Sequence, residues 1–355
     1  SFLWKDGERL PLPGNTHADG GKTPEIYGPG ATEKRRGNRD GKVTYAPDAM
    51  LAETLKFMEE NRNRPMFILF STNLPHGPVD IPPAENKYAG HPAIRQAYAG
   101  AAGGNRECAG AAEEYASMVD KLDRQVGAIL AQVHKLGLEK RTIIVFSSDN
   151  GHELYYRTDK ERGRGLNCHG GVLDGTGELL DVFRGSRGLM GQKNAMVNLA
   201  GLKWTNHEGG IRVPLIVSWP GTVPHGKVCR SLVANYDHMA TFAELAGVGM
   251  PEGKDSVSYK NMLFGKPSSQ RDYVVVDHTV ITGDGWKLTH KQDKWLLFQI
   301  SSDPEERHNL AETRKDQLER LQAIYRKEAG SPRKDRQKPE QPRKTALFPP
   351  LAFAG

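Results

Sequence analysis

The sequence predicts an α/β fold with a mostly parallel sheet flanked by helices, followed by a small C-terminal antiparallel sheet plus a helix. Two observations predict the main layer: amphipathic helical patterns alternate with short, continuous apolar runs, and polar residues follow those runs directly. A third observation predicts the smaller sheet, because short alternating segments separated by turn residues precede a last helical pattern near the end of the chain.

The first helix and strand cover residues 46–73. A helical apolar pattern is interrupted by Pro65, and MFILFSTN follows as a predicted buried strand. That strand leads into LPHGP, which places His76 in a loop just beyond the strand's end. A single loop histidine is usually an ordinary surface residue, so His76 gains interest only from the other polar clusters.

The second helix and strand precede another polar cluster. Glu113 to Leu138 predicts an amphipathic helix that ends at a glycine, and TIIVF follows as a predicted buried strand. Asn-Gly after the strand favours a hairpin by itself, but the charged, glycine-rich residues beyond it lack an alternating pattern. Ligands bind beyond the carboxyl ends of parallel strands, which makes Asp149, Asn150 and His152 site candidates.

The third cluster lies in GLKWTNHEGGIRVPLIVSWPG, residues 201–221. Its apolar second half predicts another buried strand, entered through a pair of glycines. Glu208 and Arg212 flank this turn with opposite charges, and we interpret them as a structural ion pair. Lys203 and His207 have no such obvious partner nearby in the sequence. A single lysine is usually a solvated surface residue, but here it accompanies two other polar clusters.

Taken together, these stretches resemble the sulfatase family of the alkaline-phosphatase-like superfamily. The resemblance rests on LPHGP, on EYASMVDKLDRQVGAIL leading into IIVFSSDNG, on KWTNHEGGIRVPLIVSWPG, and on GDGWKL followed by LFQISSDPEERHNLA. These motifs occur in order from the first helix to about residue 312. The resemblance implies a sulfuric ester hydrolase, with a sulfated carbohydrate or an aryl sulfate as its substrate.

The resemblance also implies a metal site. Asp149 and Asn150 match an aspartate and an asparagine that ligate Ca²⁺ in sulfatases. Carboxylate and amide oxygens suit this hard cation. Two side chains fall well short of the roughly six to eight oxygens that Ca²⁺ takes, so the other ligands are expected from outside this chain.

The remaining candidates match residues that handle the sulfate. Lys203 matches a lysine that contacts it, and His76 matches a histidine that contacts it and helps to protonate the leaving oxygen. His152 follows the DNG triplet, where related enzymes often carry a residue that faces the substrate. His207 is assigned to substrate binding with these three residues.

The family's nucleophile motif is missing from the sequence. Sulfatases attack sulfur with a formylglycine hydrate, made from the first residue of a C/S-x-P/A-x-R motif near the N-terminus. Cys108, Cys168 and Cys229 do not match it, and Ser331 directly precedes Pro332 in a basic tail. The upstream strand that ends in paired aspartates is missing too. We therefore expect a C-terminal portion of a sulfatase that is inactive, or nearly so, without its N-terminal formylglycine segment.

Composition narrows the class of protein further. The chain has 355 residues, enough to bury a sizeable core. No apolar run approaches the roughly 18 residues of a transmembrane helix, and three cysteines are too few to predict a disulfide framework. The formal charge of +6 is partly concentrated in a proline-rich tail. The tail has no periodic apolar positions, which favours disorder over a nucleic-acid contact.

The predicted domains are a sulfatase α/β domain at 1–265, N-terminally incomplete, a small α+β subdomain at 266–330 and a basic tail at 331–355. Family analogy implies export to the periplasm, the extracellular space or the lysosome. The sequence does not set the oligomeric state.

Two alternative functions stay open beside the sulfatase. One is a phosphatase or phosphodiesterase of the same superfamily, which would use a serine or threonine nucleophile. The other is a non-catalytic protein that keeps the fold. The DNG and EGG motifs favour a sulfatase over the first alternative. The joint presence of Asp149, Asn150, His76 and Lys203 argues against the second, because an inactive protein has no physical need to keep all four.

Overall fold

The structure is a computed structural model, and it describes residues 2–12, 44–76, 81–99, 106–151, 165–166, 172–173, 179–180, 199–200, 203, 205–250, 252–266, 271–291 and 293–329. The α-helices are α1 (Ala46–Glu60), α2 (Pro92–Ala99), α3 (Arg106–Lys135), α4 (Glu208–Ile211), α5 (Asp237–Ala246), α6 (Lys260–Leu263) and α7 (Lys315–Ala329). The strands are β1 (Phe2–Lys5), β2 (Glu8–Pro11), β3 (Ile144–Ser147), β4 (Gly165–Leu166), β5 (Val172–Leu173), β6 (Leu179–Leu180), β7 (Leu215–Ser218), β8 (Tyr273–Val276), β9 (Thr279–Thr282), β10 (Trp286–Lys291) and β11 (Lys294–Gln299).

The chain divides into two compact units. The first comprises residues 1–229 with 260–267, and the second comprises residues 230–259 with 268–355. The domain boundary at residue 265 stays a prediction, and residues 230–259, which lie before it, belong to the second unit. The predicted basic tail lies outside the described residues. Within the described residues, no helix combines the length and the apolar character needed to cross a membrane.

The two long helices of the first unit pack as their apolar patterns predict. Met58 on α1 and Val133 on α3 form a buried cluster with Leu138, and Ile144 of β3 packs against it. Helix α3 ends just before Gly137, whose φ of +65° lies in the left-handed region that glycine adopts readily. The predicted helices are confirmed, and their buried faces support the strand that leads to the candidate site.

Strands β3 and β7 form an antiparallel pair. Ile144 lies opposite Ser218, and Ser147 lies opposite Leu215. The hydroxyl of Ser147 also donates a hydrogen bond to the carbonyl of Pro214 at 2.9 Å. Because the pair is antiparallel, the end of β3 lies beside the start of β7. The residues that follow β3 and those that precede β7 therefore meet at one edge of this sheet.

The prediction of a buried strand at residues 66–73 is wrong. The segment forms neither a helix nor a strand, and of its side chains Met66 packs against the buried cluster of α1 and α3. Phe67 is 75% exposed and Leu69 is 79% exposed. Among the described residues, no ladder joins this apolar run to a strand.

The chain beyond the His76 loop is held to α3 by a polar network. Lys121 is buried, and its ammonium contacts Glu85 at 2.6 Å and Asp48 at 2.7 Å. Ser117, also on α3, donates a hydrogen bond to the side-chain oxygen of Asn86 at 2.8 Å. These contacts connect α1, α3 and residues 85–86, so the segment that follows the loop has a fixed place on the helix.

The second unit contains the predicted small antiparallel sheet and terminal helix. Its strand order is β11-β10-β9-β8, and the β9–β10 turn contains Gly285 with a φ of +84°. Leu288, Leu297 and Leu321 form its core with other apolar residues of the sheet and of α7. The sheet, the turn and the apolar line of α7 are confirmed as the sequence predicts them.

Two buried ion pairs lie in the second unit. Lys287 on β10 contacts Glu306 at 2.9 Å, and both side chains are fully buried. Asp237, at the start of α5, pairs with Arg271 and also accepts hydrogen bonds from the backbone amides of Ala234 and Val257. Each of these buried side chains thus contacts a side chain of opposite formal charge.

Candidate active site

The site candidates lie on loops at the edge where β3 ends and β7 begins. Asp149 and Asn150 follow β3 directly, and Lys203 and His207 precede α4, the turn that leads into β7. His76 follows the irregular segment that comes after α1. His152 lies outside the described residues.

The loop after β3 is ordered by its own hydrogen bonds. The hydroxyl of Ser148 donates to the carbonyl of Asn150 at 2.9 Å, and the amide of Asn150 donates to the carboxylate of Asp149 at 2.8 Å. The side-chain amide nitrogen of Asn150 donates to the carbonyl of Gly151 at 2.8 Å. Since that nitrogen is engaged, the amide oxygen of Asn150 and the exposed carboxylate of Asp149 are the groups that can accept a ligand.

These two side chains fit part of a Ca²⁺ site. Both offer oxygen atoms, which is the donor type that Ca²⁺ binds. Within the part of the chain that the structure describes, no three His, Cys, Asp or Glu side chains form a group that could hold a metal ion. The oxygen atoms of Asp149 and Asn150 therefore suit the cation. Two side chains, however, provide only a fraction of the ligands that it needs.

The EGG turn is a single short helix, α4, with a buried start. Its amides at Gly210 and Ile211 donate to the carbonyl of His207 at 2.9 and 3.2 Å. Glu208 is buried, and its carboxylate lies 3.6 Å from the guanidinium of Arg212. The predicted structural pair is thus confirmed, and it fixes the turn between Lys203 and β7.

The two loops touch through glycines. The amide of Gly151 donates to the carbonyl of Gly210 at 2.9 Å, and the amide of Gly209 donates to the carbonyl of Ala200 at 2.6 Å. The sequence pattern marked Gly151 only as a turn residue, so its contact with the EGG turn is a feature that sequence reasoning missed. The pairing of glycines in DNG and EGG is the signal that could have indicated a close approach of two backbones.

The structure brings His76 and Lys203 together, although 127 positions separate them in the sequence. The Lys203 ammonium lies 3.3 Å from Nε2 of His76. An ammonium can only donate hydrogen bonds, so Lys203 is the donor when this contact forms a hydrogen bond. The loop of His76 is itself turned by a hydrogen bond from its amide to the carbonyl of Asn73 at 2.6 Å. A positive charge and an imidazole thus share one location.

Known proteins with similar sequences are sulfatases. An N-acetylgalactosamine-6-O-sulfatase of Bacteroides thetaiotaomicron is 26% identical over 226 residues, which are 58% of this chain and 39% of that protein. A steryl-sulfatase of Rattus norvegicus is 27% identical over 191 residues, which are 53% of this chain and 28% of that protein. The chain therefore spans well under half the length of these relatives.

Solved structures share the fold. A Bacteroides thetaiotaomicron protein labelled 6S-sulf, solved in work on glycosaminoglycan metabolism, matches with a TM-score of 0.55 at 21% identity, over 79% of this chain and 54% of that chain. A protein in complex with its substrate D-glucosamine-2-N,6-O-disulfate matches with a TM-score of 0.53 at 17% identity, over 81% and 70% of the two chains. The alkaline-phosphatase-like fold class predicted from the sequence is confirmed.

Two family models match the chain directly. The sulfatase model matches residues 15–248, which is more than half of the chain and includes all three polar clusters. A model described as N-sulphoglucosamine sulphohydrolase, C-terminal, matches residues 203–329. The chain belongs to the sulfatase family.

Proposed function

We propose that this chain carries the sulfate-handling residues of a sulfuric ester hydrolase that acts on a sulfated carbohydrate. The observation that carries the proposal is the contact of Lys203 with His76 at 3.3 Å. A sulfate group needs a positive charge, and a departing alkoxide or phenoxide oxygen needs a proton. This pair of side chains meets both needs at one location.

The proposed mechanism assigns one task to each side chain. Cleavage of a sulfate ester moves negative charge onto the leaving oxygen and the other sulfate oxygens. Lys203 stabilises that charge, and His76 in its protonated form gives a proton to the leaving oxygen and becomes the neutral imidazole. His152 and His207 are proposed to contact the substrate around this pair.

Asp149 and Asn150 would hold a Ca²⁺ ion, with further ligands from outside this chain. When bound, the cation supplies additional positive charge to the sulfate oxygens. The nucleophile is proposed to be a formylglycine hydrate, whose C/S-x-P/A-x-R motif is missing from these 355 residues.

The substrate class is proposed from the relatives. N-acetylgalactosamine-6-sulfatases occur among them in Bacteroides thetaiotaomicron and in Canis lupus familiaris, and the C-terminal model is that of an N-sulphoglucosamine sulphohydrolase. Steryl-sulfatases also occur among them. We favour a sugar sulfate because two independent comparisons name amino sugars. Export from the cytoplasm is proposed by the same analogy.

Matched aryl esters test the reaction class. The protein as its native source produces it should turn over an aryl sulfate much faster than the corresponding aryl phosphate. Faster turnover of the phosphate would favour the phosphatase alternative, which shares this superfamily. Turnover of neither ester, nor of a sulfated amino sugar, would favour the non-catalytic alternative.

The intact mass of the native protein tests the origin of the nucleophile. This chain accounts for 39.2 kDa. A larger mass that includes a C/S-x-P/A-x-R segment would place the nucleophile on the same polypeptide. A mass equal to that of this chain would mean that a partner supplies the nucleophile or that the protein is not an enzyme.

A further inference from the structure

Gly151 lies directly after Asp149 and Asn150, in a place where no side chain fits. A Cβ added to Gly151 would lie 1.9 Å from the carbonyl oxygen of Gly209 and 2.7 Å from its carbonyl carbon. Both atoms belong to the backbone, so neither can rotate away as the end of a flexible side chain could. The φ of Gly151 is outside the left-handed region, so space, and not backbone conformation, requires glycine here.

The same close approach forms a connection between the two loops of the site. The amide of Gly151 donates to the carbonyl of Gly210, and the amide of Gly209 donates to the carbonyl of Ala200. Ala200 lies three residues before Lys203 in the sequence. A short series of backbone hydrogen bonds therefore leads from the Asp149–Asn150 loop, through the EGG turn, to the segment that carries the lysine.

We propose that Gly151 is a positioning residue, which holds the Asp149–Asn150 loop at a fixed distance from Lys203. The inference rests on the proposed function, because it assigns the cation to one loop and the sulfate to the other. A cation and an ammonium stabilise the same sulfate only when both are correctly placed. Displacement of reacting groups by about 1 Å can lower a rate about 100-fold.

A side chain at residue 151 should abolish the coupling between Ca²⁺ binding and sulfate binding, while each ligand still binds by itself. In the native protein, Ca²⁺ should strengthen the binding of inorganic sulfate, and sulfate should strengthen the binding of Ca²⁺ by the same factor. Such coupling factors are typically about 5- to 150-fold. Gly151→Ala pushes the loops apart, so its coupling factor should fall to near one while each ligand still binds alone.

Calorimetric titration of the native-source protein with sulfate, with and without Ca²⁺, measures this factor. Gly127→Ala is the matched control, since Gly127 lies within α3 and a Cβ there would meet no atom within 4 Å. The control should keep the wild-type factor. A Gly151→Ala protein that also keeps it would overturn the proposal. Wild-type protein that binds no sulfate and cleaves no sulfate ester would instead contradict the proposed function.

A second measurement needs no variant and covers the case in which Gly151→Ala does not fold. Amide hydrogen exchange is followed in the wild type at residues 147–151 and 205–211. If the backbone connection couples the loops, Ca²⁺ alone should slow exchange in the EGG turn, and sulfate alone should slow it around Asn150. Protection that stays confined to the loop binding each ligand would overturn the proposal.

Discussion

The two main sheets are built from similar residues but differ in how they are covered. In the second unit, Leu297 of β11 is 0% exposed, and all four residues of β9 are buried. In the first unit, Ile216 of β7 is 61% exposed, and Leu69 in the apolar segment at 66–73 is 79% exposed. Leucine and β-branched residues thus line a closed core in one sheet and an open face in the other.

Because of this difference, we expect the second unit to contribute mainly to stability and the β3–β7 sheet to carry the chemistry. The second unit, with its closed core and its fully buried Lys287–Glu306 pair, should provide the most stable region of the chain. The β3–β7 sheet, by contrast, carries the candidate site on the loops at its edge. Substitutions in the closed core should therefore affect folding, whereas substitutions at the site loops should affect ligand binding and turnover.

The largest expected effect on stability is the loss of the buried ion pair. Lys287→Met leaves the carboxylate of Glu306 buried without this lysine, and such a change costs about 3–5 kcal/mol. The free energy of unfolding by urea, with hydrogen exchange at residues 286–299 as the local probe, measures it. Lys315→Met, at an exposed pair with Glu312, should cost less than about 1 kcal/mol. Equal losses in both variants would contradict the account.

The second prediction compares the loss in free energy of unfolding caused by two leucine substitutions. Leu297→Ala should lower the free energy of unfolding by about 2–5 kcal/mol, because it creates a cavity in the closed core. Leu69→Ala should change it by less than about 0.5 kcal/mol, since that side chain already lies in solvent. Urea unfolding of both variants tests the contrast. A loss at Leu69 as large as that at Leu297 would mean that the 66–73 segment is buried in solution.

A smaller effect concerns pH. Burial lowers the pKa of His238, which contacts the hydroxyl of Tyr259 at 2.7 Å, below its ordinary value of 6.5, although Asp237 opposes the shift. Burial also raises the pKa of Tyr259 to about 12, so its hydroxyl stays protonated at neutral pH. Below about pH 6.5 the unfolded chain binds a proton that folded His238 resists, so the second unit loses stability as the pH falls.

His238→Gln isolates this contribution. Glutamine can keep a hydrogen bond to Tyr259 but does not titrate. Urea midpoints between about pH 7.5 and 5.5 should fall less steeply in the variant than in the wild type. Identical slopes would show that His238 does not contribute to the pH dependence.

The sequence predicted the elements whose pattern is local. Helices α1, α3 and α7 follow from apolar spacing, and the four-stranded sheet follows from alternation between turns. Prediction from the sequence failed where the structure depends on contacts between residues that are far apart in the chain. The apolar run at 66–73 predicted a buried strand, but residue types alone cannot show what covers it. The antiparallel direction of β3 and β7 is likewise absent from any local pattern.

The candidate site residues were predicted mainly from family motifs and less from the physical properties of single residues. No sequence pattern relates a loop histidine to a distant lysine. Only the family resemblance predicted that His76 and Lys203 lie in one site. The two side chains lie 3.3 Å apart, and their roles in one site stay a prediction. The approach of Gly151 to Gly209 was not predicted, because it joins two backbones and involves no side chain.

The most direct test of the account is aryl sulfate turnover by the Lys203→Ala variant of the native-source protein. Loss of one preorganised positive charge should raise the barrier by about 3 kcal/mol, or lower the rate roughly 100-fold, while the free energy of unfolding stays nearly unchanged. Lys227→Ala, at an exposed position outside the site, is the control and should keep the wild-type rate. A Lys203→Ala protein with an unchanged rate would contradict the assignment of this lysine, and with it the proposed sulfate site.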